Sequence, residues 1–108
     1  MIKFNKLPSL YWSNKTKMEY IQRRILVYSI LYYKLNVSLV ADSEFDEISN
    51  QLANMSKDFP EDFKNTRYYY VFYDFDGSSG FYLESRLNVE DSEYLNLIAK
   101  TIKNQRGL

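Results

Sequence analysis

The chain has 108 residues, which is enough for one domain with its own hydrophobic core. Basic and acidic residues are balanced at 14 each, and this argues against broad nonspecific binding to nucleic acid, which requires a surplus of phosphate-neutralising charge, while leaving room for a local basic patch. The sequence has no histidine and no cysteine, which excludes thiol nucleophiles, thiolate zinc sites and the commonest general base. Candidate site residues are therefore carboxylates, lysines, arginines, tyrosines and serines.

The sequence shows no membrane or export signal. No stretch approaches the roughly 18 apolar residues of a membrane-spanning helix. The first residues lack the continuous apolar run of a secretory signal. We therefore expect a cytoplasmic protein with no membrane partner.

The first long element is a predicted helix over residues 17–35, which follows a short strand near residues 2–4 and a loop. Apolar residues recur along it at steps of three and four and form a wide stripe, so the pattern predicts a helix at the centre of the core. A short connector leads to a second helix over residues 42–56, with Asp42 or Ser43 as its cap. The short link predicts that these helices pack as a hairpin.

The character of the sequence changes after this helical pair. Residues 67–75 read RYYYVFYDF, and aromatic residues with valine favour strands. The run DGSSG that follows is a turn signal. Residues 81–87 are then the return strand, so the region 66–88 is predicted to be a Tyr-rich β-hairpin or small antiparallel sheet.

A last helix is predicted over residues 90–104, with apolar residues facing inward and basic residues at its C-terminal end. The order α, α, β, β, α predicts an α+β fold. Residues 1–108 then form a single domain, in which residues 17–56 are the helical pair.

The helical pair also carries a recognisable pattern. LY at residues 31–32 is followed, after a short connector, by DSEFD at residues 42–46. The order, spacing and residue types resemble the N-terminal subdomain of bacterial NAD-dependent DNA ligases, which carries L-Y-H and then D-A-E-Y-D-x-L on two successive helices. This resemblance covers residues 19–55. The whole chain is also similar to small phage proteins described as DNA ligase-related, which implies a phage protein in the host cytoplasm.

The ligase resemblance implies a ligand, because in that family this subdomain binds the nicotinamide mononucleotide (NMN) half of NAD. Carried over position by position, it implies a site made of Tyr32, Tyr33, Asp42, Phe45 and Asp46. An aromatic face attracts the cationic nicotinamide ring. The two aspartates, four residues apart on one helix face, can accept hydrogen bonds from ribose hydroxyls or the carboxamide.

Two of these positions depart from the family pattern, since Tyr33 replaces a histidine and Phe45 replaces a tyrosine. These changes remove two specific polar groups of the family's site. Arg23 and Arg24 are additional candidates for contacts to phosphate.

The family's catalytic lysine lies in a K-x-D-G motif, and this chain has Asp74-Phe75-Asp76-Gly77 in a similar run. A carboxylate cannot form the phosphoramidate that the lysine forms, so the sequence predicts a binding protein without catalytic activity. The same run lacks the acidic residue that a calcium loop requires, because position 85 is serine. We therefore expect no metal site.

An alternative function is a phage-encoded protein that binds and inhibits a host enzyme or an antiphage defence system, as anti-CRISPR-type proteins do. Its interface is predicted on the Tyr-rich strand, where Tyr68, Tyr70 and Phe72 share one face. Asp74 and Asp76 complete this predicted interface. In the competing interpretation the same strand is central and covered on both faces.

Overall fold

The computed structural model describes residues 12–78 and 82–107, and the strand predicted near residues 2–4 lies outside these ranges. Within them the elements are α1 (Asn14–Tyr33), α2 (Asp42–Asp58), α3 (Pro60–Lys64), α4 (Tyr69–Phe72), a 3-10 turn (Glu84–Arg86) and α5 (Val89–Gln105). The predicted α+β fold is wrong, because the described residues contain helices and turns but no strand.

Helix α1 lies at the centre of the core. Ser13 caps it by accepting a hydrogen bond from the Thr16 backbone N–H at 3.2 Å. Between residues 18 and 31 every side chain except Glu19 and Arg23 is buried. A helix that is buried around its circumference must be enclosed by other elements, and α2, α3 and α5 all pack against it.

A buried polar contact fixes α1 to the segment that follows α3. The Gln22 side chain is fully buried, and its Nε2 donates to Thr66 Oγ1 at 2.9 Å. The Thr66 hydroxyl in turn donates to the Phe63 carbonyl at 2.7 Å. Buried amides are stable when they are hydrogen-bonded, so this chain of contacts sets the position of α3 along α1.

The Tyr-rich segment over residues 67–75 is helical rather than extended. The backbone N–H groups of Val71 and Phe72 donate to the Tyr68 carbonyl at 2.9 and 3.1 Å. The buried residues are Tyr68, Val71, Phe72 and Phe75, at the steps of three and four that mark a helix face. Aromatic residues occupy most of this run, so its apolar residues show no helical period in the sequence. The strand prediction was based on residue propensity alone and was wrong.

The predicted return strand over residues 81–87 is also wrong for its described part, which forms a turn followed by the 3-10 turn. Arg86 attaches this turn to α4, since its Nη1 donates to the Val71 carbonyl at 2.9 Å. The same guanidinium binds both carboxylate oxygens of Asp74, at 2.7 and 3.1 Å. Two aromatic rings flank the guanidinium at 4.8 and 4.7 Å, those of Tyr73 and Tyr82.

Helix α5 begins with a network that joins it to the Tyr-rich segment. Asn88 is the N-cap, and its side chain accepts from the Asp91 backbone N–H at 2.7 Å. The buried Asp91 carboxylate accepts from Arg67 Nη2 at 2.7 Å and from the Tyr70 hydroxyl at 2.5 Å. Charged hydrogen bonds of this kind are stronger than neutral ones, so the network holds α5 against α4.

None of the helices in residues 12–78 and 82–107 has the length and apolar character needed to cross a membrane.

We expect Gly77→Ala to lower the free energy of unfolding by about 1–2 kcal/mol, because an L-residue is strained at positive φ. Gly77 has φ +91°, and a Cβ there would lie 3.0 Å from Asn50 Oδ1 on α2. Urea unfolding followed by circular dichroism measures the change. Gly107→Ala is the matched control, since Gly107 has φ +69° but open space around it. A cost for Gly77→Ala no larger than for the control would contradict the contact with α2.

We expect Asp91→Asn to destabilise the protein at neutral pH by roughly 1.5–3 kcal/mol, the range for hydrogen bonds to charged groups. Burial would raise the pKa of Asp91, but hydrogen bonds from Tyr70 and Arg67 outweigh it and lower that pKa. A carboxyl whose pKa is lower when folded stabilises the fold above its unfolded pKa of about 3.9, and this stability is lost as pH falls below it.

The measurement is the free energy of unfolding in urea from pH 7 down to pH 2, for the native chain and for Asp91→Asn. The difference between the two should shrink as the acid is protonated. The control is Asp58→Asn, because Asp58 is exposed and has no ion pair or hydrogen bond within the described residues. A difference for Asp91→Asn that stays constant across this pH range would count against the proposed network.

Candidate functional site

A cavity of about 300 Å³ opens between the C-terminal end of α1, the connector that follows it and the first turns of α2. This volume is at the lower end of the range for small-molecule sites. The five residues that the ligase resemblance implies as ligand contacts all line it, namely Tyr32, Tyr33, Asp42, Phe45 and Asp46. The structure therefore brings together side chains from two helices that were predicted to share a site.

The connector between α1 and α2 creates this cavity by reversing the chain. Asn36 takes a left-handed conformation with φ +54°, which asparagine adopts more readily than most residues. The next residue, Val37, is buried, and its N–H donates to the Leu31 carbonyl at 2.8 Å. These contacts bring the start of α2 back beside the last turn of α1.

Helix α2 begins at Asp42, with Ala41 as its N-cap, so the side-chain cap predicted from Asp42 or Ser43 is absent. The carboxylates of Asp42 and Asp46 are exposed and make no ion pair or hydrogen bond within the part of the chain that the structure describes. Both therefore face the cavity with their accepting oxygens available to a ligand.

The aromatic part of the cavity is dominated by two adjacent tyrosines at the end of α1. The rings of Tyr32 and Tyr33 meet edge to face, with centroids 4.9 Å apart and planes at 89°. Their exposed fractions are 52% and 50%, which is high for aromatic residues at the end of a buried helix. Tyr28 and Phe45 are more deeply packed. Together these rings offer flat faces to a planar or cationic ligand.

Sequence reasoning missed Ser29, which lines the same cavity. The residue is only 2% exposed, and its Oγ has no hydrogen-bond partner among the described residues. Leaving such a hydroxyl unsatisfied costs about 1–3 kcal/mol, and a ligand atom in the cavity could satisfy it. The signal was its spacing, because Ser29 lies three and four residues before Tyr32 and Tyr33 and therefore on the same helix face.

The two arginines predicted to contact phosphate do not line this cavity. Arg23 lines a second cavity of about 300 Å³, together with Trp12 and Tyr68 among others. Arg24 is 4% exposed, and its guanidinium carbon lies 5.6 Å from the ring centroids of both Tyr20 and Tyr28. The cavity between α1 and α2 therefore has no basic side chain in its lining.

The residues predicted as a protein interface make contacts within the fold. Tyr68 and Phe72 are buried at 3% and 0% exposure. The Tyr70 hydroxyl donates to a buried carboxylate, and burial together with this hydrogen bond raises the pKa of Tyr70 to about 12. Asp74 and Asp76 accept internal hydrogen bonds from a guanidinium and a backbone N–H. The alternative function therefore loses the strand face on which it was predicted.

No group of three or more carboxylates that could hold a metal ion occurs among residues 12–78 and 82–107. Comparisons with protein-family models, with curated proteins and with solved structures find no match to this chain. The resemblance to the ligase subdomain stays a prediction, and the function has to be inferred from the chemistry of the cavity.

We expect Ser29→Ala to leave the free energy of unfolding of the ligand-free protein unchanged or to raise it by up to about 1 kcal/mol. The reason is that alanine removes an unsatisfied buried hydroxyl and is a better helix former. Ser49→Ala is the matched control, because the Ser49 hydroxyl on α2 is also buried without a partner but does not line the cavity. Thermal and urea unfolding of both variants would measure this. A clear loss of stability in Ser29→Ala alone would mean that its hydroxyl has a structural role.

Proposed function

We propose that the protein is a non-catalytic binding protein for NMN, or for the NMN half of NAD, related to the corresponding subdomain of NAD-dependent DNA ligases. The observation that carries this proposal is that the five implied residues line one cavity of about 300 Å³. Two of them are on α1 and three on α2, and nine to fourteen positions separate a residue on α1 from one on α2. Because nicotinamide nucleotides are intracellular, we place the protein in the cytoplasm.

The nicotinamide ring is the part of the ligand that fits the aromatic end of the cavity. Its nitrogen is quaternary in NMN and NAD, so the ring is a flat cation. Cations of this kind are attracted to the faces of tyrosine and phenylalanine. Tyr32 and Tyr33 supply half-exposed faces at one side, and Phe45 supplies a ring from α2.

The polar groups of the ligand fit the polar side chains of the lining. Asp42 and Asp46 can accept hydrogen bonds from the ribose hydroxyls or from the carboxamide N–H groups. The Ser29 hydroxyl, which has no partner among the described residues, can donate to the carboxamide oxygen once a change of side-chain rotamer turns its buried Oγ toward the cavity. A ligand that satisfies this hydroxyl also removes the cost of leaving it unpaired.

The proposed lack of catalytic activity rests on the residue that this chain has at the position of the ligase family's catalytic lysine. Asp74 stands there, and its carboxylate is held by Arg86 through two hydrogen bonds. The hydrogen bond from Arg86 lowers the pKa of Asp74, and burial, which would raise this pKa, does not offset it. A carboxylate cannot form the phosphoramidate that the lysine forms, so we propose that the protein senses, sequesters or delivers its ligand.

The test is calorimetric titration of the whole chain with NMN and with NAD. We expect Asp46→Asn to weaken NMN binding by about tenfold or more, since a hydrogen bond to a charged group contributes roughly 1.5–3 kcal/mol. The matched control is Glu47→Gln, which removes one negative charge from the neighbouring position of α2 but does not line the cavity.

Two results would contradict the proposal. An absence of both heat and thermal shift with NMN and NAD at about 1 mM would exclude affinities stronger than roughly −4 kcal/mol. Equal weakening in Asp46→Asn and Glu47→Gln would place the ligand outside this cavity.

A further inference from the structure

The charged side chains that line the cavity are of one sign. Asp42 and Asp46 are the charged side chains in its lining, so the lining carries a formal charge of −2. The nearest basic residue along the chain is Lys34, whose Nζ forms an ion pair with Glu84 at 2.8 Å. Arg24 does not line the cavity, and its Nε and Nη2 donate to the hydroxyl of the lining residue Tyr28 at 3.4 Å. The lining therefore has hydroxyl groups but no cationic side chain with which to bind a phosphate.

One feature of the fold favours an anion at this place, namely the N-terminal end of α2. Its first turn has no side-chain cap, and a helix N-terminus carries roughly half a positive charge. Asp42 is in that first turn and Asp46 follows one turn later, and their carboxylates contribute two full negative charges to the lining. Two full negative charges outweigh roughly half a positive charge, so the local field repels an anion and attracts a cation.

We propose that this cavity selects the cationic, unphosphorylated form of its ligand, the N-riboside of nicotinamide, over NMN and NAD. The inference rests on the function proposed above and makes the pyridinium nucleoside, and not its phosphorylated forms, the preferred ligand of the same site. The ring cation contacts Tyr32 and Tyr33, the ribose hydroxyls donate to the two aspartates, and no phosphate is held. The Ser29 hydroxyl remains the donor to the carboxamide, as it is for the whole class.

The size of the preference follows from simple electrostatics. A pair of like charges at contact distance corresponds to about a fivefold loss of affinity even in bulk water, and to more in a partly enclosed site. The phosphate of NMN would lie in the field of two carboxylates. We therefore expect nicotinamide riboside to bind about tenfold or more tightly than NMN at low salt.

The experiment is calorimetric titration of the whole chain with four probes: nicotinamide riboside, NMN, neutral nicotinamide and tetramethylammonium. Nicotinamide riboside should bind tightest, and nicotinamide should lose affinity because it lacks both the ring charge and the ribose. Raising the ionic strength to about 1 M, where the screening length falls to about 3 Å, should reduce the preference for the riboside over NMN. This salt series requires no variant and so cannot fail through misfolding.

A pair of double variants localises the effect. Asp42→Asn with Asp46→Asn should remove most of the preference for the riboside over NMN. Glu44→Gln with Glu47→Gln removes the same charge from the same turns of α2 without changing the lining, and should keep most of that preference. Circular dichroism and thermal unfolding confirm that both double variants are folded before titration.

The outcomes separate this inference from the function on which it rests. NMN binding as tightly as the riboside would overturn the inference and leave the proposed function standing, with the phosphate held at the α2 N-terminus. Binding of tetramethylammonium but of none of the three nicotinamide compounds would overturn both and assign the cavity to a different organic cation. Binding of none of the four probes would overturn both as well.

Discussion

The burial of α1 is the constraint on which the rest of the structure depends. Its residues from 18 to 31 are enclosed on nearly every side, so the remaining helices are arranged around it. The cover ends at Leu31, which is fully buried, whereas the helix continues to Tyr33. The cavity exists because this last turn emerges from the core, and its aromatic rings are left half exposed beside the start of α2.

The same constraint explains the polar groups inside the fold. A helix buried around its circumference places some polar side chains in the core, and each one needs a partner. Gln22 finds one in Thr66, and the guanidinium of Arg24 lies between two tyrosine rings. The buried polar atoms without a partner among the described residues are Gln22 Oε1, Arg23 Nε, Ser29 Oγ and Ser49 Oγ, and of these residues Ser29 lines the cavity between α1 and α2. An unsatisfied donor beside two free carboxylates and exposed rings indicates a surface shaped for a ligand.

The Tyr-rich segment shows why the fold class could not be predicted from the sequence. Its residues have high strand propensity, and strand propensity depends strongly on what the side chains pack against. Here Tyr68, Val71, Phe72 and Phe75 are all buried in the common hydrophobic core, and helical and turn backbone brings them onto one side. Neighbouring polar contacts, above all those of Arg86 with Asp74 and the Val71 carbonyl, hold the turn in place. These contacts join residues far apart in sequence, so no local pattern contains them.

The sequence by itself determined the positions of three long helices to within a few residues, because their apolar residues repeat with a helical period over many positions. Its resemblance to the ligase subdomain also implied Tyr32, Tyr33, Asp42, Phe45 and Asp46 as candidates for one site. Only the tertiary structure decided that Arg23 and Arg24 lie elsewhere and that Ser29 joins the lining. The physical reason is packing between segments that are distant in sequence. This packing decides which part of each helix surface is covered, and therefore which side chains reach the cavity.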